Sequence, residues 1–377
     1  MSKTYKYLIA IIVIIIIIAG IWYLGAKPTT PVATGPIKIG WIGALTGGAA
    51  DYGINMKLAV ELGAEEINGA GGINGRKVEI ISEDGKCDPA VAVTAAQKLI
   101  DIDKVQAIIT GACSSETLAI APIAEKNKIV VVAPGSSAPA LTIAGDYIFR
   151  DYPSDNYQGN LAADYVYNNL KVKKVALLSC QNDYCAGIKK VFGDKLASLG
   201  GKIVADEEFP MGSADLKTQL TKIKGTNPDL VYFIAYPTES IVGLKQIKQL
   251  NIKAKIMGAD GWVDDKIYKG AGSAAENILF TVPVSPTNKK LEVAMAGKTG
   301  KTGAVTIGVP QSYDAISILI KVIKDVGYDG TSIKNALYTI KDYPGTSGSI
   351  SFDSNGDLVK ADYVIKTVEN GQAIAVK

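Results

Sequence analysis

The chain has 377 residues, a net charge of +3 and no histidine. Lys3, Lys6 and Lys27 account for the excess positive charge, so residues 37–377 are formally neutral and show no basic footprint for nucleic acid. Without histidine, Ser–His–Asp and Cys–His catalytic arrangements and histidine-based metal hydrolysis are excluded. Carboxylate-pair catalysis stays formally open, but neighbouring acids such as Asp264 and Asp265 are more typical of solvated faces.

The N-terminal segment differs in composition from the rest. Leu8–Gly25 is uncharged and rich in isoleucine, and at about 1.5 Å per residue it can cross the roughly 30 Å hydrocarbon core of a membrane. Its flanks carry the lysines and aromatic residues typical of an anchor with a cytoplasmic N-terminus: Lys3, Lys6, Trp22 and Tyr23. We predict a membrane anchor over residues 1–25, with a cleaved signal segment as the alternative, and a Pro/Thr-rich tether over 26–36.

The first part of the body alternates short apolar runs with amphipathic stretches, which predicts βαβ units and a parallel sheet. The predicted strands are Ile37–Ile42, Lys77–Ser82, Val105–Thr110 and Ile129–Val132. The predicted helices between them are Ile54–Asn68, Pro89–Asp101 and Ser115–Lys126. Together they predict one doubly wound lobe.

The same alternation restarts after Arg150 and predicts a second lobe of the same α/β class. Its predicted helices are Tyr157–Leu170, Ala186–Leu199, Ala214–Lys224 and Ser240–Leu250. Its predicted strands are Lys174–Ser179, Lys202–Glu207, Leu230–Ile234 and Lys255–Met257. The remainder predicts three helices and two strands: Leu291–Ala296, Tyr313–Asp325, Ile333–Ile340, Gly348–Phe352 and Tyr363–Val368.

Four cysteines form an even set in a compartment that permits disulfides: Cys87, Cys113, Cys180 and Cys185. Three pairings are possible. We favour Cys87–Cys113 with Cys180–Cys185, because the first would join the ends of neighbouring strands and the second would close a small loop. Cysteine-based metal binding is disfavoured, since no Cys-x-x-Cys spacing occurs, and we expect neither a metal nor a cofactor.

Small and polar residues follow the predicted strands, where open α/β sheets bind ligands. Gly111–Thr117 ends one strand and opens a helix with two adjacent serines. A helix N-terminus favours a carboxylate or phosphate, so Ser114 and Ser115 are candidate ligand contacts. The alternative is that one of these serines only caps the helix.

Three glycine-rich or acidic motifs do not fit the sites they suggest. Gly43–Gly48 lacks the glycine spacing of a nucleotide loop, and Gly297–Thr302 lacks the upstream glycine of a P-loop. Asp353–Asp357 begins like a calcium loop, but Leu358 stands at the glycine position. A hairpin turn is therefore the favoured interpretation of that segment.

A set of short motifs, in this order, carries a family resemblance: Leu45-Thr46-Gly47, Ile67–Gly75, Glu83–Pro89, Cys113-Ser114-Ser115, Phe149-Arg150 and Phe352–Asp357. Over nearly all of residues 37–377 the chain resembles type I periplasmic binding proteins, specifically the branched-chain amino-acid binding proteins of ABC transporters. The resemblance also supports the Cys87–Cys113 disulfide.

The resemblance implies two Rossmann-like lobes that close over a ligand by hinge motion. It implies three hinge crossings, near Arg150–Asp155, Val282–Ser285 and Gly345–Ser349. The first lobe would then comprise residues 37–152 and 285–346, and the second lobe residues 153–284 and 347–377.

The resemblance also implies a ligand site. In the first lobe, Ser114, Ser137 and the backbone at Gly135 would hold the α-carboxylate and amino group of an amino acid, and Ser115 stays a candidate from its place at the helix start. In the second lobe, Asp260 would pair with the α-ammonium group. Aromatic contacts are implied for Tyr52, Tyr184 and Tyr236. The chain departs from the family pattern at Cys185, which replaces a glycine, and it lacks an aromatic residue near the third hinge, so side-chain selectivity stays open.

We therefore expect a monomeric, extracytoplasmic solute-binding protein, not an enzyme, that delivers a small amino acid to an ABC permease. A branched-chain amino acid is favoured. One alternative keeps the fold and binds an amide, urea or another small polar metabolite. The other is a ligand-sensing ectodomain that works through a partner, since few residues precede the apolar run.

Overall fold

The computed structural model describes residues 4–5, 7–9, 11–16, 35–301, 303 and 305–376. The chain forms two compact units, Met1–Pro36 and Ile37–Lys377. In the first unit the described residues between 4 and 16 are helical. Among the described residues no helix has the length and apolar character needed to cross a membrane. Much of the predicted anchor, residues 17–25, and most of the tether lie outside the described residues.

The first sheet of the second unit has five parallel strands in the order β2-β1-β3-β4-β5. They are β1 (Ile37–Gly43), β2 (Val78–Asp84), β3 (Ala107–Thr110), β4 (Val130–Val132) and β5 (Ile148–Phe149). The connecting helices are α1 (Ala50–Gly69), α2 (Pro89–Asp101) and α3 (Ser114–Asn127). Every residue of β3 and β4 is buried, as expected for central strands of a parallel sheet that helices cover on both faces.

The second sheet has seven strands in the order β14-β13-β10-β9-β8-β6-β7. They are β6 (Lys174–Cys180), β7 (Lys202–Phe209), β8 (Leu230–Ile234), β9 (Lys255–Gly258), β10 (Leu279–Pro283), β13 (Tyr363–Glu369) and β14 (Gln372–Ala375). Its helices are α4 (Asp155–Asp164), α5 (Asp183–Ser198), α6 (Lys217–Gly225), α7 (Pro237–Gln249) and α8 (Asp265–Ala271). Strand β13 pairs antiparallel with β10 and β14, whereas the other pairs are parallel.

Three further helices and a short hairpin follow β10. They are α9 (Lys289–Thr299), α10 (Val309–Val326), α11 (Gly330–Leu337), β11 (Tyr343–Gly345) and β12 (Gly348–Ile350). Helix α10 packs against α1 and carries buried isoleucines and leucine into the first sheet's core. The predicted α/β class with two doubly wound sheets is confirmed. The sequence did not predict β5, β10, β11, β14 or α8, and the predicted helix Tyr157–Leu170 is observed as α4 followed by a π-helical turn.

The chain passes between the two sheets in three places. The first lies between β5 and α4, the second between β10 and α9, and the third between β12 and β13. Ile350 and Phe352 still pack in the first sheet's core, and the Phe352 ring lies 5.3 Å from that of Phe149. These contacts indicate that the chain leaves the first lobe after Phe352, whereas the lobe bounds implied by the resemblance put this crossing between residues 346 and 347.

The predicted disulfide pairing and the predicted turn at Asp353 are both confirmed. Disulfides join Cys87 to Cys113 and Cys180 to Cys185, with Cα atoms 5.4 and 5.5 Å apart. The segment at Asp353 forms a tight turn, in which the Asp353 N–H donates to the Asp357 carbonyl over 2.8 Å and Gly356 has φ of 77°. A positive φ of this kind favours glycine.

Candidate functional site

A small cavity lies between the strand ends of the two sheets. Six of the eight predicted site residues line it: Tyr52, Gly135, Ser137, Tyr184, Tyr236 and Asp260. Ala112, Gly261 and Ile307 complete the lining and were not predicted. The fold therefore brings most of the predicted set together, and their contact with a ligand stays a prediction.

Asp260 is the acidic residue of this cavity and is only 2% exposed. It follows β9, where the chain makes a 3₁₀ turn. The Tyr184 hydroxyl donates to Oδ1 over 2.7 Å, and the Tyr152 hydroxyl donates to Oδ2 over 2.7 Å. Burial raises the pKa of Asp260, although these hydrogen bonds and one from Gln158 oppose that shift. Among the described residues, no lysine or arginine forms an ion pair with it.

Tyr184 lies in the first turn of α5, directly after the loop that follows β6. The Cys180–Cys185 disulfide spans this loop, and the Asn182 side chain accepts a hydrogen bond from the Cys185 N–H over 2.8 Å. The Tyr184 hydroxyl also accepts from the Gly261 N–H over 3.1 Å, and its ring lies 5.5 Å from the Tyr236 ring. The disulfide and the Asn182 side chain, which caps α5, therefore hold Tyr184 in place. The Tyr184 hydroxyl in turn orients the Asp260 carboxylate.

Ser114 and Ser115 begin α3, but neither caps it or lines the cavity. The N-cap is Cys113, which makes no side-chain cap bond, so the capping alternative is wrong. The Ser114 Oγ accepts from the Ser137 and Ala138 N–H groups, both over 3.1 Å. Ser114 therefore holds the backbone of Ser137 and Ala138 in place without lining the cavity itself.

Ser115 instead joins the two lobes. Its Oγ accepts a hydrogen bond from the Asp183 N–H over 3.1 Å, and Asp183 belongs to the second lobe. The two serines therefore make different contacts in the structure, and contact of either with a ligand stays a prediction. Ser114 binds the segment at Ser137 and Ala138 in the first lobe, whereas Ser115 binds the start of α5 in the second lobe.

Ser137 lines the cavity, and buried charges fix its position. Its hydroxyl donates to Asp155 Oδ2 over 3.1 Å, and its carbonyl accepts from Arg150 Nη1 over 2.8 Å. Arg150 is 1% exposed and forms a bidentate pair with Asp357 at 2.9 and 2.6 Å. Since the Ser137 proton is directed at Asp155, its oxygen can accept a further hydrogen bond.

Gly135 allows close packing on the first-lobe side. A Cβ there would lie 2.7 Å from Met56 Cε and 3.0 Å from the Ala112 Cα, so a larger residue would push these groups apart. Ala112, Gly135 and the start of α3 thus pack tightly beside the cavity. N–H groups in the first turn of a helix lack intrahelical acceptors, which makes this side suited to an anion.

Direct contacts join the lobes around the cavity. The Tyr52 hydroxyl donates to the Gly261 carbonyl over 3.1 Å, and Asp51 pairs with Lys266 at 2.6 Å. Together with the bond between Ser115 and Asp183, they describe a closed arrangement of the two lobes. Ile307, which precedes α10, adds an apolar side chain to the wall.

Comparison with known proteins agrees with this architecture. A model of the periplasmic binding protein family matches residues 36–373. The chain belongs to this family. Periplasmic binding proteins are solute-binding proteins, so the chain is a solute-binding protein and not an enzyme.

Similar proteins include a leucine-, isoleucine-, valine-, threonine- and alanine-binding protein from Pseudomonas aeruginosa, which is 31% identical over 88% of this chain and 90% of its own length. The structure of the leucine-binding protein LivK from Thermotoga maritima has a TM-score of 0.82 and 31% identity, covering 90% of this chain and 98% of that one. LivJ from Streptococcus pneumoniae, solved in complex with isoleucine, has a TM-score of 0.81 and 30% identity, with coverage of 90% and 98%.

Proposed function

We propose that this periplasmic binding protein captures a small α-amino acid, with branched-chain side chains favoured, in the cavity between its lobes. The observation that carries the proposal is Asp260, a buried carboxyl group on the cavity wall with no cationic partner among the described residues. A buried carboxylate is costly unless it is paired with a positive charge. The α-ammonium group of an amino acid would supply that charge through charge-assisted hydrogen bonds.

The first-lobe side complements this cation site. The Ser137 oxygen can accept from the ammonium, since its own proton is directed at Asp155. The start of α3 and the backbone at Gly135 favour a carboxylate, and Ser114 holds this rim in place. The two ends of a zwitterion therefore have matching surroundings on either side of the cavity.

The apolar part of the lining favours an aliphatic side chain. Ile307, Ala112 and the rings of Tyr52, Tyr184 and Tyr236 supply that part. The similar proteins from P. aeruginosa and S. pneumoniae, described as binding or containing branched-chain amino acids, support the same preference. The proposal includes the two lobes, their closing motion and the first two hinge crossings implied by the resemblance, with the third crossing after Phe352.

We further propose that residues 1–25 anchor the protein in the cell membrane, with residues 26–36 as the tether. The uncharged run Leu8–Gly25 and its flanking lysines support this location. The binding unit would then act outside the cytoplasm as a monomer and pass its ligand to an ABC permease.

Isothermal titration of the full chain in mild detergent tests the ligand class. L-leucine, L-isoleucine, L-valine, L-threonine and L-alanine are compared with acetamide and urea. We expect micromolar binding of at least one branched-chain amino acid, equivalent to about −8 kcal/mol. Heat only from acetamide or urea, or from none of these compounds, would reject the amino-acid proposal.

A substitution at Asp260 separates charged from neutral ligands. We expect Asp260→Asn to weaken amino-acid binding by about 100-fold or more, because the ammonium loses its buried carboxylate partner. The matched control is Asp265→Asn at the start of α8, shortly after Asp260 in the chain, where the carboxylate is exposed and pairs with Lys269. If Asp260→Asn binds leucine as tightly as the control does, Asp260 is not the ammonium partner.

A further inference from the structure

A second cavity lies beside the first. It has a volume of about 390 Å³, within the range of roughly 300–1,000 Å³ that is typical of small-molecule sites. It is surrounded by the second crossing at residues 282–288, by residues 305–308 before α10, and by Val364 of β13. Ile307 lines both cavities, so the two share part of one wall. Tyr152, whose hydroxyl donates to Asp260, also lines the second cavity.

The lining of this second cavity is largely apolar. Its apolar contacts include Val263, Val282, Leu291, Val305, Ile307 and Pro310. The charged lining residues lie towards solvent, since Glu292 is exposed and Lys366 is partly exposed. An ionised group held in the buried part would lose its hydration without gaining a buried counter-ion. The cavity therefore favours an uncharged molecule.

The side-chain amide of Gln311 supplies the polar chemistry of this cavity. Gln311 is the third residue of α10, is 5% exposed and lines the cavity. A glutamine at this helix position often accepts a hydrogen bond from the backbone N–H of the N-cap residue, which here is Gly308. Gln311 makes no such bond, and its amide has no hydrogen-bond partner among the described residues. Both the donor and the acceptor of the amide are therefore available to a ligand.

Two hydroxyl groups of lining residues also lack partners. The side-chain oxygens of Ser285 and Thr306 are buried and have no hydrogen-bond partner in the part of the chain that the structure describes. Buried polar groups normally have a partner, because leaving one unpaired is unfavourable. Three such groups around one apolar cavity indicate a site that is completed by a bound molecule.

We propose that the second cavity binds an uncharged cyclic amide, a lactam with an apolar ring, which pairs with Gln311. In a lactam the amide N–H and C=O point to the same side, so the Gln311 amide donates to one and accepts from the other. The ring then lies against the apolar lining. This inference goes beyond the proposed amino-acid function and does not rest on it, because Asp260 does not line the second cavity.

ε-Caprolactam is the probe, and its binding to the full chain in mild detergent is measured by saturation-transfer difference NMR. We expect saturable binding with a dissociation constant of about 1 mM or lower, as is usual for a ligand of this size. N-methylcaprolactam has the same ring but no N–H to donate, so it should bind about fivefold more weakly or worse. No saturable binding of caprolactam, or equal affinity for the two lactams, would overturn the inference.

Gln311→Leu tests the amide directly, since it removes the hydrogen-bonding groups and keeps a side chain of similar size. We expect caprolactam to bind about tenfold more weakly, because two hydrogen bonds are lost. The control is Gln249→Leu, which makes the same change at an exposed position of α7 that lines neither cavity. Equal affinity of the folded Gln311→Leu protein and the control would overturn the role of Gln311.

Val364→Trp gives an independent test if Gln311→Leu does not fold. Val364 is exposed on β13 and lines the second cavity, so a larger ring there should fill the cavity and weaken caprolactam binding. Gln311 also borders a further cavity near the third crossing, which Val364 does not line. Full affinity in the Val364→Trp protein would therefore place the probe outside the second cavity and overturn the inference.

Saturating L-leucine separates the second cavity from the first. We expect caprolactam to stay bound, because leucine would occupy the cavity that contains Asp260. Displacement of caprolactam by leucine would place the probe in the first cavity, which overturns the inference and leaves the proposed function intact. If leucine itself does not bind, the amino-acid proposal fails for leucine, and the lactam pair and the variants still decide the inference.

Discussion

At the scale of single residues, Glu116 is a buried acid with an incomplete set of partners. It lies in the first turn of α3 and is 0% exposed. Its Oε1 accepts from the Cys87 N–H over 2.8 Å, whereas its Oε2 has no hydrogen-bond partner among the described residues. Burial raises the pKa of Glu116 to about 8, opposed by the Cys87 hydrogen bond and reinforced by the charges of Asp84 and Asp88.

This raised pKa predicts that the protein becomes less stable as the pH rises from 5 to 8. In that range folded Glu116 keeps a proton that the unfolded chain, with its ordinary pKa of 4.5, has lost. The unfolded state therefore binds fewer protons, and the free energy of unfolding falls by up to about 1.4 kcal/mol per pH unit. Glu116→Gln keeps the acceptor for Cys87 and cannot ionise, so its melting temperature should depend less on pH.

Glu292→Gln is the matched control for thermal unfolding across this pH range. Glu292 also occupies the first turn of a helix, α9, but it is exposed. The control should follow the wild-type pH dependence. Parallel curves for wild type and Glu116→Gln would show that Glu116 ionises normally in the folded protein.

The sequence predicted which residues line the cavity better than it predicted what each residue does. Asp260, Tyr184 and Tyr236 line the cavity as the ordered motifs implied. The functions of Ser114 and Ser115 were not predictable, because a serine at a helix start has the same local sequence whether it caps the helix or bonds a distant segment. Asp155 was missed because a Ser-Asp pair at a helix start is ordinary N-terminal sequence, and only the tertiary fold brings it behind Ser137.

At the scale of elements, the two disulfides close loops of different length and should stabilise the fold unequally. Cys87–Cys113 spans 26 residues of separation, and Cys180–Cys185 spans 5. From loop-closure entropy we expect removal to cost about 3.5 kcal/mol for the longer loop and about 2 kcal/mol for the shorter one. Urea unfolding of Cys87→Ala/Cys113→Ala and of Cys180→Ala/Cys185→Ala compares them.

The shorter disulfide should matter for binding as well as for stability. Its loop carries the Asp183 N–H that bonds Ser115 and the Tyr184 hydroxyl that bonds Asp260. We expect Cys180→Ala/Cys185→Ala to weaken leucine binding several-fold under conditions where the variant is fully folded. Full affinity would mean that the Asn182 cap and the tyrosine hydrogen bonds hold the loop without the disulfide.

Elements with clear periodicity were predicted, and short ones without it were not. Buried β3 and β8 have continuous apolar sequences, which the sequence alone identifies. Helix α8 has seven residues, too few for a repeating apolar face, and β10 ends in proline. Strand β14 lies at the edge of its sheet and is largely exposed, so it carries little hydrophobic signal.

At the scale of the whole binding unit, the closed arrangement depends on contacts between residues far apart in sequence. Tyr52 and Gly261, for example, are 209 positions apart. Local sequence patterns contain no information about such pairs, so the topology was predictable but the contacts between the lobes were not. Those contacts should affect the lifetime of the ligand complex, because dissociation requires the lobes to separate.

The Tyr52 hydroxyl provides a direct test of that expectation. Tyr52→Phe keeps the ring on the cavity wall and removes the hydrogen bond to Gly261, leaving a buried carbonyl without its partner in the closed form. Loss of about 0.5–1.5 kcal/mol should raise the dissociation constant for leucine by about 2- to 10-fold, mainly through faster release in stopped-flow measurements. Tyr268→Phe removes a similar bond, from a hydroxyl to the Trp262 carbonyl at 2.7 Å, but within the second lobe. That control should lose stability while releasing leucine at the wild-type rate, since its bond is the same in open and closed forms. Equal release rates for the two variants would indicate that Tyr52 does not contribute to closure.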